Sequence, residues 1–166
     1  MRNATPTKGA HKVDSLKTDV SLASVNIRTI TFGSDEYNST VALRDKILRE
    51  PLGLSLSAEE LAQDAHVFHI GAFISCRLVG CMILQPVSST AAKVRQVAVD
   101  ISIQRGGVGR ALMAYAEEFA LANGFKVLEM SARDEAVPFY LKLGYQTVGE
   151  PYTEVTIPHM KMTKRL

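Results

Sequence analysis

From Lys93 to Ser131 the chain reads strand, glycine-bearing bend, helix, strand, and that order leaves few folds open. Lys93 to Val99 is β-rich, Val108 to Asn123 carries Leu112, Tyr115, Ala116 and Phe119 on one helical face, and Lys126 to Ser131 is a second apolar strand. A helix between two strands consumes the crossover, so the strands must lie parallel, and such crossovers are almost always right-handed. Gln104-Arg105-Gly106-Gly107-Val108-Gly109 fills the bend, where backbone N–H groups and a helix N-terminus can surround a phosphate. Gly107 and Gly109 carry no Cβ, so a bulky diphosphate can approach the main chain closely.

The flanking segments favour antiparallel additions to that pair. Val25 to Thr31 alternates as a strand, and Ser34 or Asp35 can cap a helix from Tyr37 to Arg49 that Pro51 and Gly53 stop. Ser57 caps a short helical turn or loop over Ala58 to Ala62, and Asp64 closes the segment. His66 to Ile74 and Leu78 to Leu84 are strands joined by Ser75-Cys76-Arg77, which predicts a hairpin with a three-residue connection. Gln85 to Thr90 reads as a loop. Ala136 to Leu143 is a second short helix ending at Gly144, and Tyr145 to Val148 and Val155 to Met162 are two last strands. The expected architecture is a mixed α/β (α+β) fold, a central sheet of six to seven strands with helices on both faces. Residues 1–24 are polar and broken by Pro6 and Gly9, so they read as a flexible N-terminal arm before one domain over residues 25–166.

Composition removes several function classes. A net charge of +2 with no basic stripe gives no footprint for nucleic acid. No apolar run approaches the ~20 residues that cross a bilayer, so no membrane partner is expected. Cys76 and Cys81 form neither a disulfide framework nor a metal-binding pattern, and a reducing cytoplasm is the expected compartment. His66, His69, Asp64 and Glu129 fall as strand-end or surface groups, and their spacing builds no metal site.

Two segments thirty residues apart sharpen the phosphate loop. Gln104 to Gly109 matches Q/R-x-x-G-x-G/A, and Phe139-Tyr140-Leu141-Lys142-Leu143-Gly144-Tyr145 matches F-Y-x-K-L-G-F/Y. In this order and spacing they resemble the acetyl-CoA loop and the following helix of the GNAT N-acetyltransferase superfamily. Gln96-Val97-Ala98-Val99-Asp100 is similar to its fourth strand, and Ile157-Pro158-His159-Met160 to the last strand of a bacterial subgroup. The resemblance runs from about Ile27 to the end.

What the resemblance implies is an enzyme that moves an acetyl group from acetyl-CoA to an amine acceptor in a ternary complex. Gln104, Arg105, Gly106, Gly107, Val108, Gly109 and Arg110 would cradle the diphosphate, and the main chain of Val97, Ala98 and Val99 would pair with the pantetheine amides where the fourth strand splays from the fifth. A backbone N–H near Val97 to Val99 would polarise the thioester oxygen. Tyr140 would protonate the departing thiolate, since a phenol stays protonated at neutral pH. No metal is required, and the resemblance allows pairing as a homodimer although no heptad stripe is visible.

Two positions depart from the pattern. Arg133 stands where many relatives place an asparagine near the pantetheine, which trades an acceptor for a charge. Gln96 stands where several place a glutamate that draws a proton from the amine, and an amide cannot serve as that base. His159 is the candidate replacement, because imidazole titrates near neutrality. The missing glutamate also leaves open a non-catalytic acyl-CoA-binding or regulatory module. A dinucleotide fold is disfavoured, because Leu112 occupies the third glycine's place and only one βαβ unit is present.

Overall fold

The computed structural model describes residues 24–166, so the expected N-terminal arm, apart from Ser24, lies outside the described residues. Seven strands form one sheet: β1 (Val25–Ile30), β2 (Phe68–Ile74), β3 (Arg77–Pro86), β4 (Ala91–Val99), β5 (Val127–Arg133), β6 (Gln146–Glu154) and β7 (Ile157–Arg165), in the order β1-β2-β3-β4-β5-β7-β6. Four helices accompany it: α1 (Asp35–Leu48), α2 (Ala58–Ala62), α3 (Val108–Ala122) and α4 (Val137–Lys142). β4 and β5 are the parallel pair that the α3 crossover demands, and the other neighbours run antiparallel.

Local chemistry accounts for the helix starts. The Ser34 hydroxyl accepts from the Tyr37 N–H at 3.1 Å, so Ser34 rather than Asp35 is the cap of α1. Ser57 and Glu60 close a capping box, which lets the five-residue α2 hold its first turn.

The sheet carries helices on both faces, as expected. Alternation along β3 sends Cys81 toward Leu43 of α1, while a side chain at Gly80 would meet Leu112 and Val108 of α3 at 3.1 Å. Glycine suits that close approach, because an added Cβ would force the Leu112 and Val108 side chains to give by a few tenths of an ångström within the core. The main core lies on the α3 side, where Leu112, Met113, Ala116, Leu128, Met130, Tyr145 and Met162 are all buried. Each Leu or Met among them contributes about 1.5–3 kcal/mol when fully buried.

Beyond shifts at element ends, such as β2 starting at Phe68 rather than His66 and β3 running on through Gln85 and Pro86, three segments differ from the sequence expectation. The β2–β3 connection is two residues, Ser75 and Cys76, because Arg77 already pairs with Ile74, and Ser75 takes the left-handed φ of 54° that the tight turn needs. β6 runs well past Val148 to Glu154, bending between Val148 and Tyr152 around Gly149 at φ 73°. Val155 and Thr156 are not strand residues but the turn into β7, both at positive φ (50° and 65°). β-branched residues rarely sit there, so the sequence carries no turn signal at this point.

Candidate functional site

The sheet opens in its middle. β4 and β5 pair from Ala91↔Val127 to Val94↔Met130 and then part, after which Ser131, Ala132 and Arg133 pair only with β7. The cause on the β4 side is a bulge: Cys81 faces Ala98 and Ile83 faces Arg95, so Gln96 and Val97 together oppose Met82. Gln96 makes the extra residue fit by adopting φ 50°, outside the usual region for a residue with a Cβ. The opening is a cleft of about 160 Å³, lined by Gln96, Val97, Arg133, Tyr140, Glu154 and His159 among others. The splay implied by the sequence resemblance is therefore present in this chain, and past Val94 the β5 side of β4 has no strand partner.

The glycine loop lies beyond the open end of β4. A short 3-10 turn over Ile101–Ile103 leads into it, with the Asp100 carboxylate accepting from the Ser102 N–H at 2.9 Å. Gly107 precedes α3 at φ 87°, a conformation that favours glycine. Among the described residues, none of the N–H groups of Gly107, Val108, Gly109 and Arg110 donates to the protein; the first helical bond runs from the Ala111 N–H to the Gly107 carbonyl at 3.0 Å. Four donors at a helix start give the loop the chemistry of an anion cradle. Gln104 contributes differently: its side-chain amide donates to the Val99 carbonyl at 3.0 Å and ties the loop to β4.

The two sequence motifs touch. A Cβ placed on Gly109 would lie 3.4 Å from Cζ of Phe139, so α4 packs its first aromatic against the start of α3. Phe139 is 36% exposed and bridges two helices, which explains why it is aromatic without being core. Tyr140 turns the other way, into the main core, with its ring 5.9 Å from that of Tyr145. Among the described residues its hydroxyl makes no hydrogen bond, and none of their fully buried side-chain oxygens lacks a partner, so the hydroxyl must open into the cleft it lines. Burial pushes its pKa up to about 12, which keeps the phenol protonated.

His159 faces the same space from β7. It is buried, with its ring stacked on Tyr152 at 6.2 Å, rather than half-exposed. Its Nδ1 lies 2.9 Å from the Ile157 carbonyl, and a carbonyl only accepts, so Nδ1 carries a proton and Nε2 is the ring nitrogen that can offer a lone pair. Arg133 pairs with His159 across the β5–β7 ladder and donates from Nη2 to the Leu48 carbonyl at 2.7 Å. It thus holds the C-terminal end of α1 over the cleft. Burial first, and then the charge of Arg49, lower its proton affinity.

A buried polar network behind Gln96 has no counterpart in the sequence expectation. Arg44 of α1 is 1% exposed and donates to the Asp64 carboxylate at 2.7 Å and to the Gln96 side-chain oxygen at 2.6 Å. Tyr37 donates to the same Asp64 oxygen at 2.9 Å, and His69 bonds the Asp64 carbonyl at 2.8 Å. Asp64 and His69 are therefore buried partners and not surface groups, whereas His66 is exposed and Glu129 half-buried beside Lys161. Arg44 sits in a run of charged residues, Arg44-Asp45-Lys46, and only the capping turn after α2, which carries Asp64, reveals it as a core residue. Among the described residues no group of three His, Cys, Asp or Glu side chains is placed to hold a metal, and no helix is long and apolar enough to cross a membrane.

Comparison with known proteins agrees with this geometry. Residues 46–166 match the family model described as Acetyltransferase (GNAT) domain. A Bacillus subtilis (strain 168) protein named as an acetyltransferase is 27% identical over 146 residues, covering 85% of this chain and 97% of its own. Among solved structures, an N-acetyltransferase from Lactobacillus plantarum superposes with a TM-score of 0.77 at 24% identity, covering 86% of this chain and 99% of that one. A GNAT family acetyltransferase from Elizabethkingia anophelis with acetyl-CoA bound gives 0.68 at 19% identity, covering 86% and 99%.

Proposed function

The chain belongs to the GNAT acetyltransferase family, and from that premise we propose that it transfers the acetyl group of acetyl-CoA to a primary amine by direct attack within a ternary complex. The observation that carries this is the placement of an unpartnered N–H cradle at Gly107 to Arg110 at one end of the split between β4 and β5, with the Tyr140 hydroxyl opening into the same split. Acetyl-CoA supplies the acetyl group already activated as a thioester.

Each of the chain's groups has one task in this reading. The backbone N–H groups of Gly107, Val108, Gly109 and Arg110 bind the diphosphate, assisted by the exposed Arg105 and Arg110 side chains. The Val97 main chain, on the stretch of β4 that has left β5, takes a pantetheine amide; the Ala98 carbonyl lies against β3, and the Val99 carbonyl is already used by Gln104. A β4 N–H in the bulge donates to the carbonyl oxygen as it gains charge. His159 Nε2 removes a proton from the amine nitrogen, which forms the N–C bond as the C–S bond breaks. The Tyr140 hydroxyl gives its proton to the departing sulfur, a transfer for which a phenol kept protonated by burial is suited. Neither cysteine takes part: Cys81 is buried against α1 with its pKa pushed up to about 12, and Cys76 is exposed in the β2–β3 turn.

Two substitutions test the assignment. Gly107→Glu places a carboxylate and a strained backbone in the cradle and should abolish acetyl-CoA binding in calorimetry. Tyr140→Phe should lower kcat by about 10²–10⁴ with acetyl-CoA affinity within twofold of the parent. A fully active Phe variant would reduce Tyr140 to a packing residue. Tight acetyl-CoA binding with no amine-dependent thiol release would instead identify a non-catalytic acyl-CoA-binding module.

A further inference from the structure

The cleft presents more donors than acetyl transfer needs. Gln96 is the first. A guanidinium has no acceptor, so the Arg44 contact at 2.6 Å requires the Gln96 amide to turn its oxygen inward and its NH₂ away. Asp64 and Tyr37 fix Arg44 in turn, so the amide cannot flip without breaking a buried charged network. The NH₂ group has no hydrogen bond among the described residues, and none of their fully buried side-chain nitrogens lacks a partner, so it opens into the cleft that Gln96 lines.

Arg133 is the second donor. It spends one N–H on the Leu48 carbonyl and has no ion-pair partner among the described residues, although it is only half-exposed. Arg95, on the same lining, bonds the neutral Gln85 side chain at 3.0 Å and has no acid either. Arg49 is the guanidinium here that is neutralised, by Glu60 at 2.7 Å. The Glu135 charge acts on Arg133 without an ion-pair contact, and a partly desolvated cation with no contacting carboxylate is costly unless an anion completes it. The acid on the lining, Glu154, is exposed at the β6–β7 turn.

Resting on the acetyl-transfer reading, we propose that the acceptor amine carries a carboxylate, held by the Gln96 amide nitrogen and the Arg133 guanidinium beside His159. Arg133 and His159 are directly paired residues of neighbouring strands and project from one face, about 5 Å apart at the backbone. A carboxylate on the first therefore places its amine at the second only when a few bonds separate the two groups, which is the scale of an α-amino acid. The planar guanidinium fork matches a carboxylate, and the neutral amide adds a donor without a second charge.

Calorimetric titration of the CoA-loaded protein with the standard α-amino acids and with the methyl ester of each decides the matter, with thiol release from acetyl-CoA followed in parallel. At least one free acid should bind tenfold or more tightly than its ester. Gln96→Glu keeps a partner for Arg44 and so keeps the fold, checked by its melting curve, yet sets a carboxylate where the ligand's own would sit; it should erase the preference while acetyl-CoA affinity stays within twofold. Arg133→Gln should erase it independently. Equal affinity of acid and ester, or no binding of any amino acid, overturns the carboxylate site. Acid-selective binding without any thiol release would leave that site standing and overturn the transfer reading, whereas equal turnover of acids and esters does the reverse.

Discussion

Removing Asp64 isolates a positive charge in the core, and the cost follows from the contacts it loses. In Asp64→Ala the Arg44 guanidinium, 1% exposed, keeps the Gln96 oxygen and loses the carboxylate at 2.7 Å, while the Tyr37 hydroxyl loses its acceptor at 2.9 Å. Breaking one half of a buried ion pair costs about 3–5 kcal/mol, because the remaining charge has neither water nor a partner. Against a total stability of about 5–15 kcal/mol this is a large share. For a domain of this size each kcal/mol moves Tm by about 2–4 °C, so the melting temperature should fall by roughly 6–20 °C. The assay is thermal unfolding at neutral pH, paired with urea unfolding to check that the slope is unchanged. The double change Arg44→Met with Asp64→Leu removes both charges and should recover most of the loss, since apolar replacements of buried ion pairs are often neutral or better. A drop below about 2 °C for Asp64→Ala alone would refute the reasoning, because it would mean that Arg44 is solvated. The double variant also frees the Gln96 amide to flip, so it should fold well and still lose the preference for carboxylated amines.

Two further outcomes follow from burial and charge. His69 is buried, and burial together with the neighbouring Arg44 charge lowers its pKa below the ordinary value, so the unfolded chain binds its proton first as pH falls. Stability from this group is complete above an unfolded pKa of about 6.5 and is lost as pH drops through the lower folded value, with a slope under about 1.4 kcal/mol per pH unit. Urea midpoints at pH 7.5 and 5.5 should show a smaller decline in His69→Gln than in the parent, and equal declines would exclude His69 as the source. The cysteines separate kinetically: Cys76, exposed, should react with maleimide at once, and Cys81, 1% exposed with its thiol pushed up to about 12, only on unfolding. Rapid double labelling of the native protein would contradict the packing of α1 on β3.

The elements were legible where one residue pattern admits one local structure. The strand-helix-strand order over Lys93 to Ser131 fixed the parallel β4–β5 pair, and Ser57 announced the start of α2. The loop and the Phe139-Tyr140 segment were legible as separate motifs, although their contact through Gly109 and Phe139 was not. The Val155-Thr156 turn was hidden because its residues favour strands and are held at positive φ by the flanking hairpin.

The sequence by itself determined the glycine loop: alternation, capping residues and glycines act over a few neighbours, and they suffice to set free N–H groups at a helix start beside a strand. The Gln96 wall of the cleft was decided only by tertiary structure. Arg44, Asp64 and Gln96 lie far apart in the chain and look like surface residues along it. Folding α1 across the β4 bulge removes water from Arg44 and Asp64 and brings the Gln96 oxygen against them, and in that low-dielectric space each charge must find a partner. The outcome is an amide held in one orientation at the cleft, a consequence of shared burial that no local pattern encodes.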